Sequence, residues 1–210
     1  GKTTLVNQLI GELAPDAGAI EFEGRDITRL PSWRRALLGL SRSYQITSIF
    51  PEFTALENVA LAGQAHRGHS FNAWRPAMQE EALNRAARQS LEEVGLSDRQ
   101  GTLAAQLAHG ERRQLEIAMA LVSRPKVLLL DEPMAGMGRQ ESERLVRLLT
   151  GLKGRYTMVL VEHDMDAVFT LADRISVLVY GRCIASGAPQ EIRASVEVRR
   201  AYLGERYAAR

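Results

Sequence analysis

Val127-Leu128-Leu129-Leu130 constrains this chain more than any other stretch, because two carboxylates, Asp131 and Glu132, follow it directly. Four consecutive apolar residues after a break at Ser123-Arg124-Pro125 have the pattern of a strand buried on both faces, as in a parallel sheet. In open α/β sheets, ligands bind beyond the carboxyl ends of the strands. Two acids delivered there are costly to desolvate unless a metal, a cation or a reacting water uses them. Upstream, Ala108-His109-Gly110 forms a small-residue turn ahead of a helix whose apolar residues are Leu115, Ala118, Met119 and Val122. Residues 107–133 therefore read as turn, helix, buried strand and acidic pair.

Composition narrows the setting. At 210 residues the chain is long enough for one domain, or one domain with a subdomain, around a sizeable core. A formal net charge of +2 gives no argument for nucleic acid or an anionic membrane. The single cysteine, Cys183, excludes an internal disulfide and fits a reducing compartment. No apolar run approaches the roughly 18 residues of a membrane span, and GKTTLVNQLIGE is too polar for a signal peptide. The chain reads as soluble and cytosolic. It opens at Gly1, inside what reads as a motif, so its natural N-terminus is expected upstream.

Gly1-Lys2-Thr3-Thr4 precedes an amphipathic pattern with Leu5, Val6, Leu9, Ile10 and Leu13 on one helical face, ended by residues 14–18. These four residues match the second half of the phosphate-binding pattern G-x-x-x-x-G-K-[ST]. Backbone N–H groups at a helix start bind phosphate oxygens, a lysine neutralises β/γ charge, and a threonine hydroxyl can ligate Mg²⁺. Taken alone, they also fit an ordinary helix start with a surface lysine.

Residues 19–23 alternate like a half-exposed strand, turned by Gly24-Arg25-Asp26, and Pro31 opens a short helix to Leu38. Leu40 to Tyr44 reads as a strand ending at Gln45. Thr54-Ala55-Leu56-Glu57 is a capping-box pattern. Residues 62–76 have little period; their His66-x-x-His69 spacing reads as a polar loop rather than a metal site, since no cysteine or carboxylate lies close by. Residues 77–94 resume a helix with Met78, Ala82, Leu83, Ala86, Ala87, Leu91 and Val94 on one stripe, capped by Gly95.

Beyond the acidic pair, Met134 to Gly138 forms a glycine-rich turn, and a helix follows with Leu145, Val146, Leu148, Leu149 and Leu152 inward. Residues 157–161 read as a second buried strand ending at Glu162-His163-Asp164. A histidine there either shares the cleft of the acidic pair or neighbours a helix cap. A helix from Met165 to Ala172, a strand from Ile175 to Tyr180, a turn at Gly181-Arg182, a strand at 183–185 and a helix from Pro189 complete the order. The basic tail reads as a solvated end. This order argues for an α/β domain with an inserted helical block.

Together these pieces resemble the nucleotide-binding subunit of an ATP-binding cassette (ABC) transporter. GKTTL resembles the end of the Walker A loop, Gln45 the Q-loop, and LAHGE the signature motif. VLLLDEP resembles Walker B with its catalytic glutamate, AGMG the D-loop, and His163 the switch histidine. LEIAMAL, DEPMAGMG, VEHDMDAV, ADRISVLVYGRCIASGAP and RRAYLGE resemble the branched-chain amino acid importers within that family, with importers of urea or short amides as a related branch.

The resemblance implies an α/β P-loop NTPase fold with a RecA-like core, a small antiparallel β piece and an inserted α-helical subdomain over about 52–122. Residues 1–210 would form a single ATP-binding domain lacking its N-terminal strand and most of Walker A. It implies ATP and Mg²⁺, with Gly1, Lys2, Thr3 and Thr4 at the nucleotide, and Thr3, Gln45 and Asp131 at the metal. Glu132, His163 and Gln45 would be catalytic. Ala108, His109, Gly110 and Glu111 would serve the nucleotide of a second ATP-binding subunit, in a homo- or heterodimer. The further partners implied are integral membrane permease subunits and, indirectly, a periplasmic or extracellular solute-binding protein, without nucleic acid, at the cytoplasmic face of the cell membrane. Two residues depart from the family pattern: Ala108 replaces the signature serine and Gly138 the D-loop aspartate. They keep a binding-only cassette among the alternatives, beside a non-transport ABC ATPase.

Overall fold

The computed structural model describes residues 1–43, 49–66 and 81–203. Gln45, His69 and the last residues of the basic tail lie outside them.

Helix α1 spans Lys2–Ile10, with Gly1 as its N-cap. It stops earlier than the apolar pattern predicts, because Gly11 takes the left-handed conformation at φ +83° and its amide closes back on the carbonyls of Asn7 and Gln8. Leu13 therefore leaves the helical face and is exposed, while Val6 and Ile10 are buried. Residues 19–26 form a minimal hairpin, β1 (Glu21–Phe22) against β2 (Arg25–Asp26), so Arg25 and Asp26 are strand rather than turn. Helix α2 (Ser32–Leu38) starts after Pro31, as predicted.

The main sheet is parallel, with β3 (Leu40–Ser43), β4 (Val127–Asp131) and β5 (Thr157–Val161) in that order. The central strand is where the apolar run places it: Leu128, Leu129 and Leu130 are essentially inaccessible. Strand β5 differs from its expected double burial. Val159 is 38% exposed, because among the described residues β5 pairs only with β4. Its other edge faces β6 (Ile175–Val179) across a cavity of about 870 Å³ that also reaches Lys2 and Leu5. This is why Leu5, counted inward by period, is exposed. Strand β6 pairs antiparallel with β7 (Arg182–Gly187), turning at Tyr180-Gly181, one residue before the expected Gly181-Arg182.

Three helices pack on one another, α3 (Ala55–His66), α4 (Glu81–Glu93) and α5 (His109–Leu121), and α5 packs on β3. The capping box at Thr54 is reciprocal. Glu57 Oε2 accepts from the Thr54 amide at 2.7 Å, and Thr54 Oγ1 accepts from the Glu57 amide at 3.2 Å. Helix α3 runs to His66, so residues 62–66 are helical rather than loop. Gly63, small enough to pass closely beneath Leu83 and Val122, and buried Ala60 supply packing that weak local periodicity conceals. Of the α4 stripe, Leu83, Ala87, Leu91 and Val94 are buried and Ala82 is exposed. These residues join Leu115, Leu121, Leu128, Leu130, Leu149 and Leu152 in one continuous core. Helix α6 (Arg139–Leu152) and helix α7 (Met165–Leu171) close it from the β4–β5 side. Among the described residues, no helix is long and apolar enough to cross a membrane.

Candidate functional site

The parallel register sends the carboxyl ends of β4 and β5 to one rim, and α1 begins at that rim. Lys2 donates from Nζ to the Glu162 carbonyl at 3.2 Å, which places the lysine beside the end of β5. Gly1, Thr3 and Thr4 are exposed on the same first turn. Asp131 ends β4 with its side chain fully buried. Its Oδ2 accepts from Arg42 Nη2 at 2.9 Å, whereas Oδ1 is buried with no hydrogen-bond partner among the described residues.

Glu132 does not continue the strand. It sits at φ +47°, in the left-handed region that non-glycine residues rarely adopt, at a cost of roughly 1–3 kcal/mol. Its amide still donates to the Val161 carbonyl at 2.8 Å, so the sheet ladder reaches one residue past β4 before the chain turns. The turn leaves the carboxylate partly accessible, with Oε1 3.9 Å from His163 Nδ1. Asp164, not His163, caps α7, accepting from the amides of Asp166 and Ala167. The imidazole is thereby left beside Glu132, and it is largely exposed. Lys2, the pair Asp131 and Glu132, and His163, predicted from three separate segments, thus stand on one rim.

Ala108, His109, Gly110 and Glu111 open α5. Alanine has no side-chain acceptor, so half of a capping box remains: Glu111 Oε2 accepts from the Ala108 amide at 2.9 Å. That hydrogen bond, aided by Arg99, holds the Glu111 carboxyl below its ordinary range against the upward push of desolvation. Glu111 is thus a structural cap as well as a predicted signature residue. The α5 start abuts the turn after Glu132, since a Cβ built on Gly136 would lie 3.9 Å from His109 Cε1. Gly138 likewise leads a helix, its amide donating to Glu141 Oε2 at 3.3 Å.

Residues 1–135 match the family described as ABC transporter. This chain belongs to that family. Residues 182–208 of the cassette match the C-terminal family described as branched-chain amino acid ATP-binding cassette transporter. The cassette is 39% identical over 213 residues to the high-affinity branched-chain amino acid transport ATP-binding protein BraF of Pseudomonas aeruginosa, covering 98% of this chain and 83% of that protein. It is 40% identical over 214 residues to LivG of Salmonella typhimurium, of the same description, with the same coverage. Among solved structures, it resembles the ADP conformation of MJ1267, an ATP-binding cassette of an ABC transporter, with a TM-score of 0.83 and 30% identity over 97% of this chain and 84% of that one. The fold is that of a P-loop ABC ATPase, the expected class.

Two charged residues of the cassette escaped the sequence reading. Arg42 reaches Asp131 from β3. Glu162 has a side chain with no exposure and accepts from Met134 N at 2.9 Å and His163 N at 3.0 Å. It thereby ties the chain after Glu132 to His163. A signal was present: Glu162 follows Val159-Leu160-Val161 just as Asp131 follows Leu128-Leu129-Leu130. Glu162→Gln keeps one acceptor oxygen but sets its NH2 against the backbone donors of the other, and is expected to cost about 2 kcal/mol. A thermal melt should show a Tm drop of roughly 4–8 °C; an unchanged Tm would remove Glu162 as the tie.

Proposed function

We propose that this chain is the ATP-hydrolysing subunit of an importer of branched-chain amino acids, working at the cytoplasmic face of the membrane. Two copies, or this chain and a close relative, act with integral permease subunits, and a solute-binding protein delivers the cargo. The observation that carries this reading is the meeting of Lys2 with Asp131, Glu132 and His163 on one rim. The printed descriptions of BraF and LivG support the choice of solute.

The residues present fit Mg²⁺. Asp131 Oδ1 is a buried acceptor with no partner among the described residues, and the Thr3 hydroxyl is exposed at the helix start. Thr3 would ligate the ion directly, with Asp131 through its water shell and Gln45 beside them. When bound, the ion neutralises charge on the β- and γ-phosphate oxygens. Lys2 leaves the Glu162 carbonyl to pair with the same phosphates, while the first amides of α1 receive oxygens. Glu132 polarises the attacking water, and His163 contacts the γ-phosphate. Ala108, His109, Gly110 and Glu111 close over the partner's nucleotide, so the two sites form only when two subunits meet. Phosphoryl transfer depends mainly on positioning and charge stabilisation, and a site completed by closure couples hydrolysis to movement. The helical block over about 52–122 is the subdomain that carries this closing surface.

The test is phosphate release by the full-length protein assembled with its permease subunits in proteoliposomes. Leucine-loaded solute-binding protein is expected to stimulate release several-fold. Stimulation by urea or a short amide in its place would overturn the solute, and release indifferent to any loaded receptor would overturn the importer.

A further inference from the structure

We propose that Arg42 is a positioning residue for Asp131, holding one carboxylate oxygen so that the other is presented to Mg²⁺. This rests on the metal reading given above.

Arg42 lies on β3, where it is paired in register with Leu129 on β4. Its side chain is 8% exposed and that of Asp131 0%, so the pair is removed from water almost completely. Nη2 donates to Asp131 Oδ2 at 2.9 Å. Nη1 donates to Asn7 Oδ1 at 2.9 Å and to Glu12 Oε2 at 3.3 Å. Asn7 lies on α1 and Glu12 just past its end, and α1 begins with Lys2 and Thr3. One planar guanidinium therefore fixes the Asp131 carboxylate relative to the helix that offers the metal-ligating hydroxyl. A fork of fixed donors does this; a point charge on a flexible stem cannot.

Asp131 Oδ1 supplies the second half of the argument. Buried acceptors are almost always satisfied, and this one has no partner among the described residues. Oδ2 is taken by Arg42, so the carboxylate cannot rotate to bring Oδ1 to a donor without breaking its buried ion pair. Oδ1 is thus held in reserve for a ligand. Two effects of the guanidinium oppose each other. Its charge weakens the pull of Asp131 on a cation, while its geometry holds the oxygen in place. Geometry prevails here, because a carboxylate acting through metal-bound water contributes by direction, and outer partners that orient ligands typically account for about 10–100-fold in metal affinity.

Mn²⁺ binding to the full-length protein with ADP, followed by electron paramagnetic resonance, tests the assignment. Arg42→Ala is expected to raise the Mn²⁺ Kd by about 10–100-fold while metal-free ADP binds as before. The Mg²⁺ concentration for half-maximal ATPase should rise in parallel, and saturating Mg²⁺ should recover most of the rate. Arg42→Lys should recover only part of the affinity. A purely structural role would lower Tm or weaken metal-free ADP without shifting Mn²⁺ selectively, and that result overturns the proposal. Unchanged or tighter Mn²⁺ binding in folded Arg42→Ala also overturns it; should that variant not fold, wild-type Mn²⁺ affinity in Arg42→Lys does so. Asp131→Asn separates the two levels. If it too binds Mn²⁺ like wild type, the metal reading itself fails. If it alone weakens binding, only the role of Arg42 fails.

Discussion

Glu132→Gln in the full-length protein should release phosphate about a thousandfold more slowly than wild type while still binding ATP. The glutamine keeps the size of the side chain and its place beside His163 Nδ1, 3.9 Å from the present Oε1. It removes the negative charge that, in the proposed function, draws a proton from the attacking water. Lys2 and the α1 amides, proposed above to hold the phosphates, lie on a different element and remain. With binding intact and turnover lost, ATP-bound dimers should accumulate, visible as an ATP-dependent shift in size-exclusion chromatography. Undiminished phosphate release would remove Glu132 from the chemistry. The substitution also isolates charge from shape, because glutamine tolerates the φ of +47° no better than glutamate does.

Arg35→Ala is the second large effect, and it concerns stability. The guanidinium is 2% exposed and donates to four backbone carbonyls. Nε bonds Leu30 O at 2.9 Å, Nη1 bonds Gln8 O at 2.6 Å and Leu9 O at 2.8 Å, and Nη2 bonds Thr28 O at 2.9 Å. Gln8 and Leu9 lie in the last turn of α1, where carbonyls lack helical partners and the helix end is negative. Arg35 thus acts as a side-chain cap delivered from α2, and it fastens the segment after β2 to α1. Its removal takes the guanidinium donor from three half-buried carbonyls, Leu9, Thr28 and Leu30, while Gln8 O keeps the Gly11 amide at 3.2 Å. Each costs about 1–3 kcal/mol when fully stranded; water reaching some of them lowers the sum, so we expect a loss of about 4 kcal/mol. For a chain of this length that lowers Tm by roughly 8–16 °C. Arg35→Lys should recover less than half, since one ammonium cannot span the carbonyls of both segments as the guanidinium fork does. A Tm shift under a few degrees would show that α1 is capped by other means.

What the sequence disclosed, and what it withheld, divides by range. Local chemistry was legible: the buried strand from its unbroken apolar run, the Thr54–Glu57 box from spacing, and the acids at the end of β4 from their adjacency. Lys2, Asp131, Glu132 and His163 were each found from their own strand or helix ends. Their common rim follows from parallel pairing, which local periodicity does not specify. Ionic and carbonyl partners were not legible, because no period relates residues so far apart: Arg35 reaches back 27 positions and Arg42 forward 89. The exposure of β5 was missed for a related reason. Thr157-Met158-Val159-Leu160-Val161 has the composition of a buried strand, and composition does not say whether a neighbour stands on each side. The Glu132 turn has no sequence signal either, since neither glycine nor asparagine marks it.

The open side of β5 is a place for a further strand. Thr157 to Val161 carries no charge and no proline, the devices by which edge strands usually repel other chains. Across the gap, β6 is bonded to β7 alone among the described residues. Each strand therefore turns a row of backbone N–H and C=O groups toward the same 870 Å³ opening. A strand seated there would hydrogen-bond β5 and β6 together and join the parallel sheet to the antiparallel pair.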